Sequence, residues 1–390
     1  MITGFKQILI REIKRFIKSK DLIVICLIAP VVYSFGLTYI YYHQNPTDLK
    51  LAIIDKDNSY LSRNLARMLD VTPELDVVKF VTSAYEAYQS LFSNEAEIFY
   101  YIPEDFSENL KKSKSTFAFI GANASNFMVS SMAMKTIAVV SQTVSAKIFV
   151  KFLMSHGISK ETAIKTAQPL RANFKWIFNP TKTYANFFVP FLLLAVFQQI
   201  LIVAVCHTMS LETKENTWKD LFKISNNKVA PILFAKSVPY IITSILMIFL
   251  FLFFVFPFNS IFQTSKFNFT IVTFLYSFVV VFFAMAMSHL FKTPVISLCA
   301  LTFYSMPVLL ISGFAWPVYM LPDYLKISTF LFPSTYFINL FRYYSLGDIP
   351  LSYSVTSLVH LFIFFIICFI INLLVLNHRK KYLISTPKLD

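Results

Sequence analysis

The sequence predicts an α-helical polytopic membrane protein with six transmembrane helices, into which a water-exposed α/β domain is inserted after the first helix. Composition is the first observation that supports this fold class. Hydrophobic residues make up 56% of the chain and charged residues only 14%, whereas a soluble domain carries about 25% charged residues. The second observation is a mean hydropathy of +0.61. The third is that long uncharged runs recur at the length of about 20 residues that a spanning helix needs.

Six uncharged runs are long enough to cross a bilayer. They are Leu22–Tyr42, Tyr184–Met209, Val238–Phe258, Phe267–Phe291, Pro294–Phe314 and Val355–Asn377. A basic stretch precedes the first run, as in a secretory signal peptide, but the run is too long for that and no small-residue cleavage site follows it. We therefore interpret residues 21–42 as an uncleaved first transmembrane helix. Transmembrane helices two to six fall within residues 184–377.

The distribution of lysine and arginine predicts the orientation of the chain. Basic residues concentrate in residues 1–20, in the segment 210–230 and in the tail 378–390, while the alternate short loops are poor in them. Because such residues favour the cytoplasmic side, both termini are predicted to be cytoplasmic and the long segment 43–183 to be outside. A basic cytoplasmic face against anionic lipid then accounts for much of the net charge of +14, so no nucleic-acid partner is required.

The first twenty residues have an amphipathic helical pattern. One face of the helix carries the apolar residues Ile2, Phe5, Leu9, Ile13, Phe16 and Ile17. The opposite face carries Arg11, Lys14 and Arg15. This pattern is typical of an interfacial helix that lies along the cytoplasmic membrane surface. A basic flank without defined structure is the alternative.

The segment 43–183 alternates between strand and helix patterns, which is typical of an α/β domain with a mixed sheet. Strands are predicted at Leu51–Asp55, Leu75–Val81, Ile98–Ile102 and Phe117–Gly121, and helices at Ser59–Asp70, Ser83–Phe92 and Glu104–Lys111, with Ser59 as an N-cap. A long helix Asn126–Met154, a shorter helix Ser159–Gln168 and a return strand Arg171–Phe178 follow. The four cysteines all lie in apolar runs elsewhere, so this domain is predicted to be stable without disulfides.

Several classes of function are disfavoured by what the sequence lacks. The six histidines are scattered without metal-ligand spacing and no Gly-x-Ser-x-Gly motif occurs, so neither a metal site nor a catalytic site is predicted. The predicted spans contain essentially no charged residue, which disfavours an ion-coupled carrier. No Gly-x-x-x-x-Gly-Lys-Ser/Thr motif occurs, so the chain has no P-loop for ATP. Energy for any transport must therefore come from elsewhere.

The segment 312–342 is too broken to be one straight spanning helix. It contains Gly313, Pro317, Pro322 and Pro333 together with the aromatic residues Trp316, Tyr319 and Tyr324. Proline interrupts a helix, and Trp and Tyr favour the headgroup level of the membrane. We therefore predict short helical pieces that dip into the outer leaflet and return, with protein covering the irregular backbone. An ordinary outer loop with aromatic anchors is the alternative.

Four stretches carry a resemblance to a known family. They are LAIIDKDNSYLSRNLARML at 51–69, SNEAEIFYYIPEDFSENL at 93–110, ETKENTWKDLFKISNN at 212–227, and the whole segment 312–342. Together they resemble the permease subunits of the ABC type-2 exporter family, in the branch with a large extracytoplasmic domain between the first two transmembrane helices. The last stretch is the most specific, since its Ser-Gly opening, its prolines and its later Pro-x-Thr-Tyr and Arg are similar to the re-entrant segment of that family.

The resemblance implies a permease subunit of an ATP-driven exporter, which forms the translocation path with a second permease subunit. Cytoplasmic ABC ATPase subunits would drive it and would use ATP and Mg, while this chain would bind no cofactor and would not be an enzyme itself. It would lie as a multi-pass protein in a bacterial cytoplasmic (inner) membrane. Whether the dimer is a homodimer or a heterodimer, and whether a periplasmic adaptor protein also binds, stays open.

The resemblance also marks two groups of site residues. The ATPase-coupling loop comprises Glu212, Glu215, Thr217, Trp218, Leu221 and Phe222. The re-entrant segment contributes Gly313, Pro317, Met320, Pro322, Pro333, Tyr336 and Arg342. The family's Gly-Thr-x-Glu core of the loop reads Asn216-Thr217-Trp218-Lys219 here, and Ser225 stands in place of a proline. The loop therefore docks a divergent ATPase or belongs to the less active member of a heterodimer.

The spacing of the apolar residues in this loop predicts how it would dock. Trp218, Leu221 and Phe222 fall on one face of a short helix among charged neighbours. An exposed aromatic residue rimmed by charges is typical of an interface hot spot, so we expect this face to bind the ATPase. The alternative is that Trp218 rests on lipid headgroups.

Two other functions are compatible with a membrane-anchored outer domain. One is a surface anchor or receptor that binds a partner without transport, for which an ATPase that co-purifies with the chain would be contrary evidence. The other is a membrane-embedded enzyme that acts on lipid, for which clustered His, Asp or Ser at one membrane face would be the signature. The sequence shows no such cluster.

Overall fold

A computed structural model describes residues 2–43, 45–112, 114–125, 127–168, 179, 183–258, 266–314, 316–347 and 349–385. The chain divides into two compact units. Unit 1 comprises Met1–Gln44 and Trp176–Asp390, and unit 2 comprises Asn45–Lys175. Unit 2 is thus an insertion in the sequence of unit 1.

Unit 1 begins with two consecutive helices. Helix α1 spans Ile2–Lys18, and the side chain of Ser19 then accepts a hydrogen bond from the N–H of Leu22 and caps helix α2, Lys20–Ile40. Helix α2 contains a π-helical turn at Val24–Ile28, which ends two residues before Pro30. Because proline has no N–H, the α-helical ladder cannot continue through it, and the wider turn is closed by a hydrogen bond from the N–H of Ala29 to the carbonyl of Val24.

Unit 2 is the predicted α/β domain. Its elements in chain order are β1 Leu49–Asp55, α3 Tyr60–Asp70, β2 Leu75–Phe80, α4 Ala84–Phe92, β3 Ile98–Ile102, α5 Phe106–Lys111, β4 Phe119–Ala122, α6 Phe127–Ser155 and α7 Lys160–Ala167. The strand order is β2-β1-β3-β4. Strand β1 runs parallel to β2 and β3, while β4 is antiparallel to β3, so the predicted mixed sheet is confirmed. The predicted return strand Arg171–Phe178 lies outside the described residues.

Both faces of the sheet of unit 2 are covered by helices, and the alternation of side chains along β1 shows this. Successive side chains of a strand point to opposite faces, and β1 is buried on both. Leu51 and Ile53 lie in one apolar cluster with residues of α3, α5 and α6, while Ala52 and Ile54 lie in a second cluster with a residue of α4. The predicted cap of α3 is also confirmed, because Ser59 Oγ accepts the N–H of Ser62 at 3.1 Å.

Unit 1 continues with eight helices in the described part of the chain. They are α8 Tyr184–Lys214, α9 Trp218–Ile224, α10 Val229–Phe258, α11 Lys266–Ser288, α12 Pro294–Ile311, α13 Asp323–Thr329, α14 Pro333–Leu346 and α15 Val355–Ser385. Helices α8 and α11 are the most buried candidate spans of the bundle. Helix α8 packs against α10, α11, α12 and α14, and α11 also packs against α15. One apolar cluster therefore connects all the long helices of unit 1.

Six helices in the described residues are long and apolar enough to cross a membrane, which confirms the polytopic helical fold. They are Lys20–Ile40, Val129–Ser155, Tyr184–Lys214, Val229–Phe258, Lys266–Ser288 and Ser352–Leu383. Five coincide with predicted spans. The predicted span Pro294–Phe314 is the shorter helix α12, whose 18 residues extend over about 27 Å. The stretch Val129–Ser155 belongs to α6 and buries Ala133, Ile137 and Val144 against the sheet of unit 2.

Several helices extend beyond the uncharged runs that predicted them. Helix α8 continues past Met209 to Lys214, α10 begins at Val229 rather than Val238, and α15 carries the predicted basic tail in helical form as far as Ser385. These extensions contain charged residues, while the absence of charge within the bilayer itself stays a prediction. Glu212 in α8 and Lys236 in α10 have relative exposures of 0% and 2%.

The predicted faces of α1 also need correction. The most buried described residues of this helix are Ile8 and Glu12, and the predicted apolar residue Ile17 is 63% exposed. Helix α1 packs against α10 and α9. The supposedly polar face is partly directed into the protein, since Arg11 and Arg15 both contact Glu212. An amphipathic pattern shows that a helix has two faces. It does not show which face is buried, because charged residues that form ion pairs can be buried while apolar residues are exposed.

Candidate functional site

The predicted coupling loop is a short helix between two tight turns. Helix α8 ends at Lys214, and Asn216 then has a φ of 55°. After α9, Asn226 and Asn227 have φ values of 50° and 60° and lead into α10. Asparagine tolerates this left-handed region better than most residues other than glycine. The three asparagines thus lie in the turns that connect α9 to α8 and α10.

The apolar face of α9 is covered by the chain itself. Trp218, Leu221 and Phe222 are 3%, 0% and 2% exposed, so the prediction that they form an exposed face is wrong. They lie in the apolar cluster of unit 1. The indole Nε1 of Trp218 donates a hydrogen bond to Thr213 Oγ1 at 3.1 Å, and the ring centroid lies 6.3 Å from that of Phe222. The prediction that the three residues share one helical face is correct, but they face inwards.

Two cations lie close to the Trp218 ring. The guanidinium of Arg379, from α15, lies 5.2 Å from the ring centroid, and Lys236 Nζ lies 6.0 Å from it. Arg379 also donates a hydrogen bond to Thr213 Oγ1 at 2.9 Å. Cation–π contacts of this kind are stronger when they are shielded from water. Trp218 is therefore an internal junction between α8, α9, α10 and α15.

The outward side of the α8–α10 connection is charged. Lys214, Glu215, Lys219, Asp220 and Lys223 are all exposed. A protein that binds to the surface of this connection therefore contacts charged side chains, because the aromatic residues Trp218 and Phe222 are buried in unit 1.

Glu212 is the centre of a buried ion cluster. Its carboxylate receives a bidentate pair from Arg11, with both N–O distances 2.9 Å. Arg15 Nη1 lies 2.7 Å from Glu212 Oε1, and Lys236 Nζ lies 2.8 Å from the same oxygen. The hydroxyl of Thr217 donates to Oε2. Helices α1, α8 and α10 thus meet on one carboxylate.

A second acid balances the charge of this cluster. Glu12 Oε2 lies 3.0 Å from Lys236 Nζ, and Glu12 Oε1 lies 2.9 Å from Arg11 Nη1. Glu215 pairs with Arg15 at the exposed edge. The three cations therefore face three carboxylates. Buried charges require such pairing, because desolvation of an unpaired charge is costly.

Arg11 shows the electrostatic strength of this pairing. Burial acts to lower the pKa of its guanidinium, but the hydrogen bond and the negative charge of Glu212 outweigh burial and raise the pKa above its ordinary value. The guanidinium of Arg11 therefore stays charged at every physiological pH.

Gly4 allows α1 to approach α9 closely. A Cβ atom at this position would lie 2.5 Å from the carbonyl oxygen of Ile224, at the end of α9. That distance is well inside van der Waals contact, and the obstructing atom is backbone. The absence of a side chain at residue 4 is therefore required for the observed contact.

Gly4→Ala is expected to separate the start of α1 from α9. Overpacking of this kind costs about 1–3 kcal/mol, so amide hydrogen exchange within residues 5–18 should accelerate. Gly36→Ala in α2 is the matched control, since a Cβ there would meet nothing within 4 Å. Equal exchange rates in the two variants would contradict the close approach.

The segment 312–342 consists of short helical pieces, as predicted. Gly313 has a φ of +99°, which ends α12 in a conformation that favours glycine. Pro317 precedes a 3₁₀ turn at Val318–Met320, Pro322 precedes α13, and Pro333 is the first residue of α14. Each proline thus lies at or next to the start of a new helical piece, where its missing N–H costs little.

The segment combines an exposed aromatic rim with a buried aromatic stack. Trp316, Tyr319 and Tyr324 are exposed, as is Met320. Phe314 stacks on Phe191 of α8 with ring centroids 3.5 Å apart. The depth of the segment in a membrane stays a prediction.

Arg342 joins this stack to α14, and Tyr336 of α14 contacts α15. The guanidinium of Arg342 lies 5.9 Å from the Phe314 ring centroid, and the ring of Tyr336 lies against His360 with centroids 5.3 Å apart. Phe191 and Glu212 belong to the same helix, roughly 30 Å apart along its axis. Helix α8 therefore connects the two groups of predicted site residues.

Comparison with known families gives one match. The sequence model of the family described as ABC-2 family transporter protein matches residues 20–374, which is most of the chain. The chain belongs to the ABC-2 transporter family. No curated protein matches it.

As an ABC-2 permease, the chain is a multi-pass membrane component of an ABC transporter and works with ABC ATPase subunits. The family match contains Glu212, Lys236 and the whole segment 312–342, but it begins after α1. Arg11, Glu12 and Arg15 of the ion cluster therefore lie before the matched region.

Sequence reasoning does not identify several residues of this ABC-2 permease site, among them Glu12, Lys236 and Arg379. Glu12 has a visible signal, since it is the only acid among the first twenty residues. Lys236 also has one, because it stands alone in a long apolar stretch. Arg379 has no local signal, since it belongs to a run of basic residues and only its contact with Trp218 distinguishes it.

Proposed function

We propose that this ABC-2 permease is the membrane subunit of an exporter that forms its translocation path with a second permease subunit. Separate ATPase subunits bind and hydrolyse ATP with Mg, and this chain binds no cofactor. The observation that supports the proposal best is the attachment of α9, which is joined to α1, α8, α10 and α15 through Trp218 and the ion cluster. A helix held in this way cannot move alone.

This attachment converts a push on α9 into a movement of the bundle. In the proposed cycle, ATP binding closes the ATPase pair, and the ATPase displaces α9 through its charged outer side. Because Glu212 joins α1, α8 and α10, these helices move together. Helix α8 carries the movement over roughly 30 Å to the Phe191–Phe314 stack and the segment 312–342, where the path opens outward.

The predicted site residues then have two kinds of role. Glu215 lies on the exposed side and contacts the ATPase together with Lys219, Asp220 and Lys223. Glu212, Thr217, Trp218, Leu221 and Phe222 are positioning residues that transmit the movement. In the segment 312–342, we assign Gly313, Pro317, Pro322 and Pro333 to the shape of the outer gate, and Met320, Tyr336 and Arg342 to its packing.

The same arrangement supports the orientation that we propose. ABC ATPase subunits are cytoplasmic, so α9 and α1 lie on the cytoplasmic side of a bacterial inner membrane. One spanning helix, α2, separates α1 from unit 2, which therefore lies outside. Both termini are then cytoplasmic, in agreement with the distribution of basic residues.

Reversal of two charges on the outer side of α9 tests the docking proposal. The double variant Lys219→Glu/Lys223→Glu should weaken association with the co-expressed ATPase by about tenfold or more. Docked surfaces carry complementary charges, so reversal of these two lysines places like charges opposite each other, which is strongly unfavourable. Both lysines are exposed, so the melting temperature of the permease should stay unchanged. Association is measured by co-purification and by titration of the ATPase onto the permease in nanodiscs.

Lys292→Glu is the matched control for this experiment. Lys292 is also exposed and lies in the α11–α12 connection, on the same side of the membrane in the proposed orientation. Its reversal should leave association unchanged. If the double variant bound the ATPase as tightly as this control, α9 would not be the docking helix.

A further inference from the structure

Unit 2 contains a groove between α3, α5 and α6 that the transport mechanism does not use. Its volume is about 570 Å³, within the range of sites for small ligands. The groove is formed entirely by unit 2, so its properties depend neither on the ATPase nor on the proposed transport.

The floor of the groove is apolar. Met68 of α3, Leu110 of α5, and Val144, Ile148 and Phe152 of α6 line it. The three residues of α6 recur every four positions and therefore form a continuous stripe along one helical face. Met68, Leu110, Ile148 and Phe152 are only partly buried, so apolar surface remains accessible inside the groove.

The rim of the groove carries positive charge without a counter-ion. Lys111, Lys147 and Lys151 line it and are exposed. Among its described lining residues there is neither aspartate nor glutamate. Other lysines of unit 2 do pair with acids, such as Lys112 with Glu108 and Lys165 with Glu161. Three unpaired ammonium groups around an apolar cleft favour a ligand that supplies the negative charge itself.

We propose that this groove binds a single-chain amphiphile with an anionic head, with its hydrocarbon tail on the α6 stripe and its carboxylate or phosphate head between the three lysines. The tail replaces water on the exposed apolar floor. The head forms charge-assisted hydrogen bonds with the ammonium groups. An acidic amphipathic peptide is disfavoured, because an apolar groove of about 570 Å³ matches a small ligand better than a docked helix.

The test uses the full-length chain in nanodiscs of zwitterionic phosphatidylcholine and a dodecanoate that carries a photoreactive diazirine near its end. After irradiation, labelled peptides are mapped by mass spectrometry. We expect adducts within residues 144–152 and 61–68. Dodecanoate and dodecyl phosphate should compete with the label, and their relative affinities distinguish a carboxylate head from a phosphate head. Dodecyltrimethylammonium and dodecanol should not compete.

Two variants separate the contributions of head and tail. Lys111→Gln/Lys147→Gln/Lys151→Gln should weaken binding of the anionic probe about tenfold, since each exposed ion pair contributes only a modest factor. Ile148→Trp should abolish labelling by filling the groove. The matched control Lys112→Gln/Lys160→Gln/Lys165→Gln removes three exposed lysines outside the lining residues and should bind as the unmodified chain does.

Three results would overturn the proposal. The first is labelling that is spread over the whole chain and is unaffected by Ile148→Trp. The second is competition by the cationic amphiphile as strong as that by dodecanoate. The third is displacement of the probe by an acidic amphipathic peptide at lower concentration than dodecanoate, which would assign the groove to a protein partner.

Discussion

Glu212→Gln is expected to destabilise the protein by about 3–5 kcal/mol, which is the usual cost of breaking a buried ion pair from one side. The substitution keeps the shape of the side chain and removes only its charge. Arg11, Arg15 and Lys236 each lie within 3 Å of this carboxylate, and all three lose their common counter-ion. The melting temperature of the permease in detergent, measured by intrinsic tryptophan fluorescence, should fall by several degrees.

Glu215→Gln is the matched control for Glu212→Gln. Glu215 also pairs with Arg15, but its side chain is 47% exposed, and pairs at such positions contribute about 0–1 kcal/mol. Its melting temperature should therefore stay close to that of the unmodified chain. The double variant Glu212→Gln/Lys236→Met removes one cation with the acid and should be less destabilised than the sum of the single variants. Similar melting temperatures for Glu212→Gln and Glu215→Gln would show that the buried cluster does not stabilise the fold.

Trp218→Ala is expected to cost about 3–5 kcal/mol of folding stability, as other removals of large buried side chains do. The residue is 3% exposed, and its loss leaves a cavity between α9 and α15 and removes the ring that Arg379 and Lys236 face. Association with the ATPase should weaken as well, because α9 loses its attachment. Thermal melting and ATPase titration on the same preparations measure the two effects.

Two further substitutions show whether burial or docking explains the effect of Trp218→Ala. Trp218→Phe keeps most of the ring but loses the hydrogen bond to Thr213, so about 1–2 kcal/mol should be lost. Lys219→Ala changes an exposed neighbour and should alter stability by less than about 0.5 kcal/mol. A Trp218→Ala variant with unchanged melting temperature but lost ATPase binding would identify the indole as a direct contact with the ATPase, contrary to its position in the structure.

The elements of unit 2 are largely predictable from the sequence, because each depends on local patterns. Alternation of side chains marks β1 as a strand. Ser59 marks the start of α3, since a serine before an apolar helical pattern satisfies the free N–H groups of the first turn. Pro103 follows the last residue of β3. In unit 1, the prolines of the segment 312–342 mark the starts of its helical pieces in the same way. In each case the residues that decide the structure lie within a few positions of one another.

The ion cluster is not predictable in the same way, because its members are far apart in the sequence. A charged residue on a helix is normally exposed, so the sequence pattern places Arg11 and Arg15 on the polar, solvent-facing side of α1. Only a partner from another helix makes their burial favourable, and the pattern of α1 contains no information about that partner. The same reasoning explains why the uncharged runs of α8 and α10 are shorter than the helices, since Glu212 and Lys236 lie inside the helices but outside the runs.

For α9 as well, the sequence pattern predicts the helix but not its long-range contacts. The spacing of Trp218, Leu221 and Phe222 correctly predicts one apolar face of a short helix. It does not specify what covers that face. A partner subunit, lipid and the chain itself all satisfy the same pattern, and the deciding contacts come from Thr213, Lys236 and Arg379.

The ion cluster has a consequence for the biogenesis of the protein. Arg11 and Arg15 precede Glu212 by 201 and 197 residues, and Glu12 precedes Lys236 by 224. At a synthesis rate of about 5–20 residues per second, α1 leaves the ribosome roughly 10–45 seconds before its partners. During this interval its charges have only water and lipid headgroups to interact with, so α1 cannot occupy its final place. Its docking is therefore one of the last steps of assembly, and nascent chains that end before α10 should keep α1 accessible to proteases.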